Sequence, residues 1–233
     1  MEEVIKITWY GRCCFIAELN GVRVLFDPYD RFCNVDMGMV DAQVLLSSSS
    51  WHDHGHIGAA PGAWIFSYSG NYTHLGLNIS GIEVQEGRGS PSVVFNVRFK
   101  SVSITNFADM GVYAEGSFNK EQKEVLGSTN IAFIRSGHEK VLDFCDPRII
   151  IPEHYFPEDF IHNQVPEDLR EDFLQPNKNV DEMIKLLDYP VELIDDFSYV
   201  FNIGNLSDNK FFRFMKLHPQ VRYLSEPKFV KHW

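Results

Sequence analysis

Nowhere in the 233 residues does an apolar run approach the roughly 20 residues that a membrane-spanning helix needs. Apolar stretches such as residues 131–134 and 149–151 have strand length. Basic residues are scarce: 21 Lys and Arg stand against 32 Asp and Glu, a net charge of −11 with His neutral. No cluster of Lys and Arg is dense enough to form a basic patch, and an acidic field repels phosphate backbones over about a Debye length. A nucleic-acid partner is therefore not expected. The start Met1-Glu2-Glu3 lacks the basic residues and apolar stretch of a signal peptide. A cytoplasmic location with no membrane partner is the expectation. Only four cysteines occur, Cys13, Cys14, Cys33 and Cys145, with no CxxC spacing. They read as reduced, packed thiols in a reducing compartment. No stretch rich in Gly, Ser or Pro is long enough to divide the chain. A single domain over 1–233 is expected, with an irregular C-terminal extension from about 204 to 233.

What is present is the composition of a globular protein, with 44% hydrophobic and 23% charged residues. The 19 phenylalanines foretell a core rich in rings. Ile5, Ile7 and Trp9 alternate with Lys6 and Thr8, and an apolar run over 14–19 leads to Asn20-Gly21, the favoured pair for a type I′ hairpin turn. Val22, Val24 and Phe26 continue as a strand that ends at Asp27-Pro28. Further strands are expected at 44–46, 92–99, 101–107, 131–134, 149–151 (stopped by Pro152), 191–194, 198–203 and 211–216. Residues 119–126 read as a short polar helix, 139–144 as one or two helical turns, and 180–187 as an amphipathic helix. The acidic, proline-containing stretch 156–179 reads as a surface excursion. Fully apolar strands need cover on both faces, which predicts two packed sheets with helices outside.

Chemistry-bearing residues stand at strand ends, where sites are usually placed. His52-Asp53-His54-Gly55-His56 follows the strand at 44–46 and offers imidazole and carboxylate, natural ligands for Zn, Mn or Fe. Asp109 and His154 hold matching places after later strands. Parallel strands ending on one edge would bring these three loops together.

Residues 5–28, Ala108-Asp109-Met110-Gly111 and Ile150-Ile151-Pro152-Glu153-His154-Tyr155 together resemble the small metallo-β-lactamase-fold hydrolases, in particular the branch of L-ascorbate-6-phosphate lactonase and related Zn-dependent hydrolases. The resemblance implies an α+β protein, a four-layer αββα sandwich with a metal site on the edge between its sheets. It also exposes departures. In the family motif His-x-His-x-Asp-His, registered on Asp53-His54, the first two histidines fall on Ser49 and Trp51. The third histidine is expected near 85–88, where none stands. Gly11-Arg12 replaces the usual Gly-His, and Ala108 the usual glycine before the later aspartate. Every private ligand of the family's first metal is missing, and every ligand of the second is kept: Asp53, His54, Asp109 and His154.

Two readings follow from this resemblance. One is a degenerate site, feebly catalytic or not at all, with a binding or scaffold role and Trp51 filling the vacated space. The other is a mononuclear metal-dependent hydrolase of a small anionic ester, lactone or phosphoester. In that reading Asp53 or His52 acts as base and Arg12, Arg88 and Trp51 bind substrate. The cofactor would be one divalent ion (zinc first, manganese or iron otherwise) or none. A small anionic molecule is the expected partner, and a homo-oligomer is compatible with either reading.

Overall fold

The computed structural model describes residues 4–86, 90–110, 118–202 and 210–224. The alternation at the N-terminus forms strand β1 (Val4–Trp9), antiparallel to β2 (Phe15–Leu19), which pairs with β3 (Val22–Phe26). Asn20 and Gly21 between them both take positive φ, 51° and 81°, as a type I′ turn requires. The chain then makes β4 (Val35–Asp36), β5 (Val44–Leu46) and β6 (Trp64–Phe66), the last two parallel to β3. A meander follows: β7 (Gly70–His74), β8 (Leu77–Gln85), β9 (Pro91–Phe99) and β10 (Val102–Asn106). Helix α1 (Lys120–Gly127) crosses to β11 (Ile131–Arg135), and a 3₁₀ turn at Glu139–Asp143 leads to β12 (Ile149–Glu153). Asn119 and Gln122 close a capping box at the start of α1.

Helices α2 (Glu158–Gln164) and α3 (Arg170–Leu187) come next, then β13 (Val191–Ile194), β14 (Ser198–Asn202), β15 (Phe211–Met215) and β16 (Arg222–Tyr223). Six strands form one sheet in the order β14-β1-β2-β3-β5-β6, and eight form another, β13-β15-β12-β11-β10-β9-β8-β7; β4 pairs with β16 alone. The sheets face each other across a ring-rich core. Phe133 stacks on Phe15 at 4.2 Å and meets Phe26 edge-on at 5.4 Å. Leu126 of α1 and Val180 and Met183 of α3 join the same cluster. On the outer face of the six-stranded sheet, Tyr10, Ile16, Leu25 and Leu45 pack under Phe160 and Ile161 of α2. This is the α+β sandwich with helices outside two sheets. Among the described residues, no helix is long and apolar enough to cross a membrane.

Two expectations fail for physical reasons. The stretch 156–179 is not a surface excursion but largely helical, and it supplies Phe156, Phe160, Ile161 and Val165 to a second core. Its sequence hides this because Pro176 lies inside α3, where proline normally interrupts a helix. Pro152 does not stop β12, which runs on to Glu153. Pairing of β12 with β15 ends at Ile150, so only β11 flanks Pro152 and the missing N–H leaves no ladder partner wanting.

Truncating Phe133 to Ala should cost about 3–5 kcal/mol, because the ring joins both sheets and is fully buried. Chemical denaturation measures this. A loss below about 1 kcal/mol would show that the sheets do not meet through this ring.

Candidate metal centre

Parallel strands set the site. Asp27 follows β3, the turn holding Asp53 and His54 follows β5, Asp109 follows β10, Arg135 closes β11 and His154 follows β12. All these carboxyl ends lie at one edge of the two sheets, joined by Arg12 from the β1–β2 turn. The backbone there is strained: Arg12, Asp27, Ala108 and His154 take φ of 49°, 42°, 49° and 64°. Non-glycine residues adopt this left-handed region at a cost, and such outliers gather at functional sites. The Gly11 conformation is forced twice over. Its φ is 91°, and a Cβ there would lie 2.5 Å from the Phe156 ring.

His54 is the hub and is fully buried. Its Nδ1 faces Asp27 Oδ2 at 3.1 Å and Ser48 Oγ at 3.1 Å. Asp27 also accepts bonds from the Ser48 N–H (2.7 Å), the Ser48 hydroxyl (2.8 Å) and the Asn106 amide (2.7 Å). The carboxylate behind Nδ1 assigns a proton to that nitrogen and turns Nε2 into the site, the arrangement found behind metal-binding histidines. Nε2 lies 3.0 Å from Asp109 Oδ2 and 3.7 Å from Asp53 Oδ1. His154 Nε2 sits 3.4 Å from Asp109 Oδ1 and is buried without a hydrogen-bond partner among the described residues.

The four expected ligands thus converge. Donor atoms of Asp53, His54 and Asp109 lie within 4.8 Å of one another, and so do those of Cys13, His54 and His154. Each aspartate also has one oxygen on an arginine: Asp53 Oδ2 on Arg12 at 2.9 Å, and Asp109 Oδ1 on Arg135.

These partners govern the charges. Burial alone would raise the Asp109 carboxyl, but His154, His54 and Arg135 hold it far below the usual range. For Asp53 burial is likewise outweighed, by His54 and Arg12, and its pKa is lowered. Burial opposes a charge on His54, yet Cys13, Asp27 and the bond to Asp109 push its pKa well above the ordinary value. Burial depresses His154 to about 3, so it is a neutral imidazole. The Cys13 thiol is pushed up to about 12 by burial and donates to the Asp53 carbonyl at 2.8 Å.

The other expected residues are placed differently. Trp51 is 46% exposed, so it does not fill a vacated ligand position. Its side chain stays out because the turn's backbone is tied inward, the Trp51 carbonyl accepting from the N–H groups of His54 and Gly55. His52 pairs with Asp30 at 2.8 Å and stacks on Phe32, so it is committed elsewhere. His56 belongs to no ligand group among the described residues. Arg88 lies outside the described residues. Ser49 is buried, and near the place where a third histidine is expected stands buried Glu86, bonded to Ser49, its pKa raised mainly by burial. Sequence reasoning missed Arg135, the support from Asp27 and Ser48, and the carboxyl groups of Glu86 and Glu153. Only Asp27 carried a signal, as a carboxylate closing a strand.

The donor set fits a divalent cation. An orphaned neutral imidazole, a second imidazole oriented through Nδ1 and two carboxylates are the ligand types zinc takes. The profile of the beta-lactamase superfamily domain matches residues 6–151, and the chain belongs to that family, of metallo-β-lactamase fold. Among its relatives, a UPF0173 protein of Pyrococcus abyssi is 25% identical over 181 residues, 65% of this chain and 83% of the relative. A Thermotoga maritima protein assigned to the Zn-dependent hydrolases of the metallo-beta-lactamase superfamily superposes with TM-score 0.63 at 22% identity, over 92% of this chain and all of that one. The metallo-beta-lactamase fold protein YhfI of Bacillus subtilis gives 0.53 at 9% identity, over 94% and 99% of the two chains. CmlA, a diiron β-hydroxylase of Streptomyces venezuelae, gives 0.54 at 10%, over 95% of this chain and 53% of that one. At these identities the structures share the fold alone.

Glu153 supplies a pH test. It is buried with both carboxyl oxygens unpartnered among the described residues, and burial raises its pKa well above the ordinary value. The folded state therefore binds a proton that the unfolded state has released, so this group's contribution to stability falls as pH rises above about 4.3, the unfolded value. In chelator, Glu153→Gln should lose less stability than the parent between pH 5 and 8, read by denaturant midpoints. Parallel pH curves for the two proteins would contradict the buried placement.

Proposed function

We propose that the protein is a single-metal member of its family, holding one divalent ion through Asp53, His54, Asp109 and His154 and hydrolysing a small anionic ester, lactone or phosphoester slowly. The observation that carries this reading is the buried, unpartnered His154 Nε2 beside Asp109. Leaving such a group unsatisfied costs about 1–3 kcal/mol, which a ligated cation would offset. Zinc suits the two imidazoles and two carboxylates; manganese or iron would fit the same donors. A divalent ion there supplies Lewis acidity to a substrate oxygen and acidifies water.

The chain's own residues do the rest. Asp27 holds the His54 ring through Nδ1. Arg12 and Arg135 orient the aspartates by gripping their outer oxygens. The depressed pKa of Asp53 makes its carboxylate a weak base, which supports slow turnover. Ser49 and Glu86 stand where imidazoles would complete a second site, so the two-ion clamp of the phosphoesterase type is not expected. The likeness to the L-ascorbate-6-phosphate lactonase branch belongs to this proposal. A second reading, a metal-free binding protein, draws support from Arg12 and Arg135, which already neutralise both aspartates.

Elemental analysis of untagged protein after mild chelation and reloading with zinc or manganese decides between them. One ion per chain is expected, falling below about a tenth in Asp109→Ala. No ion at any added metal concentration would overturn the proposal in favour of the metal-free reading, and two ions would reveal an unrecognised ligand set.

Occupancy should also depend on pH. Without metal the raised pKa of His54 keeps a proton on Nε2, and cation binding must release it. Apparent affinity should therefore rise with pH, by up to about tenfold per unit while His54 is the group that gives up its proton. Isothermal titration calorimetry in buffers of different ionisation enthalpy measures the released proton directly. A pH-independent affinity with no proton release would contradict the charged state of His54.

A further inference from the structure

Beside the metal centre lies a cavity of about 260 Å³, bounded by the turn of Arg12, the segment Phe32–Asn34, the end of β12 and helix α3. Its walls and floor are unlike each other. Phe32, Phe156 and Phe173 line it with rings, the last two 5.7 Å apart at centroid and tilted by 35°. Arg12 and His154 are also among its lining residues. Arg12 commits Nη2 to Asp53 and keeps 27% of its side chain exposed. A guanidinium presents its N–H groups in a rigid fork matched to oxyanions. Asp172, the acidic residue of the lining, is exposed and so marks the solvent rim, not the floor. Pro176 lines the cavity from α3 with an apolar ring.

We propose that this cavity is a binding pocket for a small aryl oxyanion: one flat apolar ring carrying a carboxylate or a phosphate. The oxyanion accepts from the Arg12 guanidinium, whose side chain is 27% exposed, and the ring lies among Phe32, Phe156 and Phe173. The volume is below the roughly 300–1,000 Å³ of pockets for drug-sized ligands, which limits the occupant to a single ring and its anionic group. These rings supply most of the apolar contact, as aromatic walls do in ligand pockets. This deepens the hydrolase reading by naming the substrate class of the adjoining centre. The pocket nevertheless depends on Arg12 and the rings and not on a bound ion.

The test titrates benzoate, phenyl phosphate and inorganic phosphate into the full chain in excess chelator, followed by ligand-observed NMR. Benzoate or phenyl phosphate should bind at least tenfold more tightly than inorganic phosphate. Which of the two binds better tells a carboxylate pocket from a phosphate pocket. Arg12→Gln should weaken binding at least tenfold. Because Arg12 also holds Asp53, Phe173→Trp serves as a second variant that fills the cavity and should abolish binding, with the thermal midpoint of each variant checking its fold. The proposal is overturned if neither aryl anion binds, if inorganic phosphate binds as well as they do, or if folded Phe173→Trp binds unchanged. Aryl binding in a protein that takes up no metal would leave this pocket standing and remove the metal reading alone.

Discussion

The structure depends on neutralising carboxyl groups that the fold crowds onto one sheet edge. Asp27, Asp53, Asp109 and Glu153 all lie around the buried ring of His54. Two like charges about 4 Å apart repel by about 4 kcal/mol at the effective dielectric near a protein surface. That is a large share of the 5–15 kcal/mol that holds a domain folded. The edge is therefore affordable only with positive charge or donors at each carboxylate. Asp27 takes three neighbouring donors, Asp53 takes Arg12, Asp109 takes Arg135 and His54, and Glu153, with no hydrogen-bond donor among the described residues, is pushed toward its neutral form by burial.

Beside this compensated cluster stand Ser49 and Glu86, both buried, and the exposed Trp51. Arg12 holds Asp53 Oδ2 and leaves Oδ1 toward His54, whereas Arg135 holds Asp109 Oδ1, the oxygen that also faces His154, and leaves Oδ2 toward His54. The strained backbone at Arg12, Asp27, Ala108 and His154 is held by this network and by the sheets beneath it.

The aromatic helices give the edge its second character. Phe156, two residues after His154, packs against Gly11 on one side and Phe160 and Phe173 on the other. The same ring thus fixes the Arg12 turn and walls the adjoining cavity. Polar chemistry and apolar recognition are carried by consecutive residues of one loop.

The amino-acid sequence by itself determined most of the strands, though not β6, β7 and β8, because alternation, the Asn20-Gly21 turn and short apolar runs are local signals that burial then reinforces. It also pointed to residue types that could meet a metal, since Asp53, His54, Asp109 and His154 each lie in a loop that follows a parallel strand, and parallel strands end on one edge. Tertiary structure alone decided the rest. Trp51 reads as a plug but points to solvent, because the inward hydrogen bonds of its turn are made by backbone. Residues 156–179 read as an excursion, yet the apolar face they lay on the six-stranded sheet outweighs the proline within α3. Arg135 was invisible as a site residue because an arginine at a strand end is ordinary until an aspartate 26 positions earlier is folded against it. Pairings between residues so far apart leave no trace in local pattern; they exist only once the sheets have set the distance.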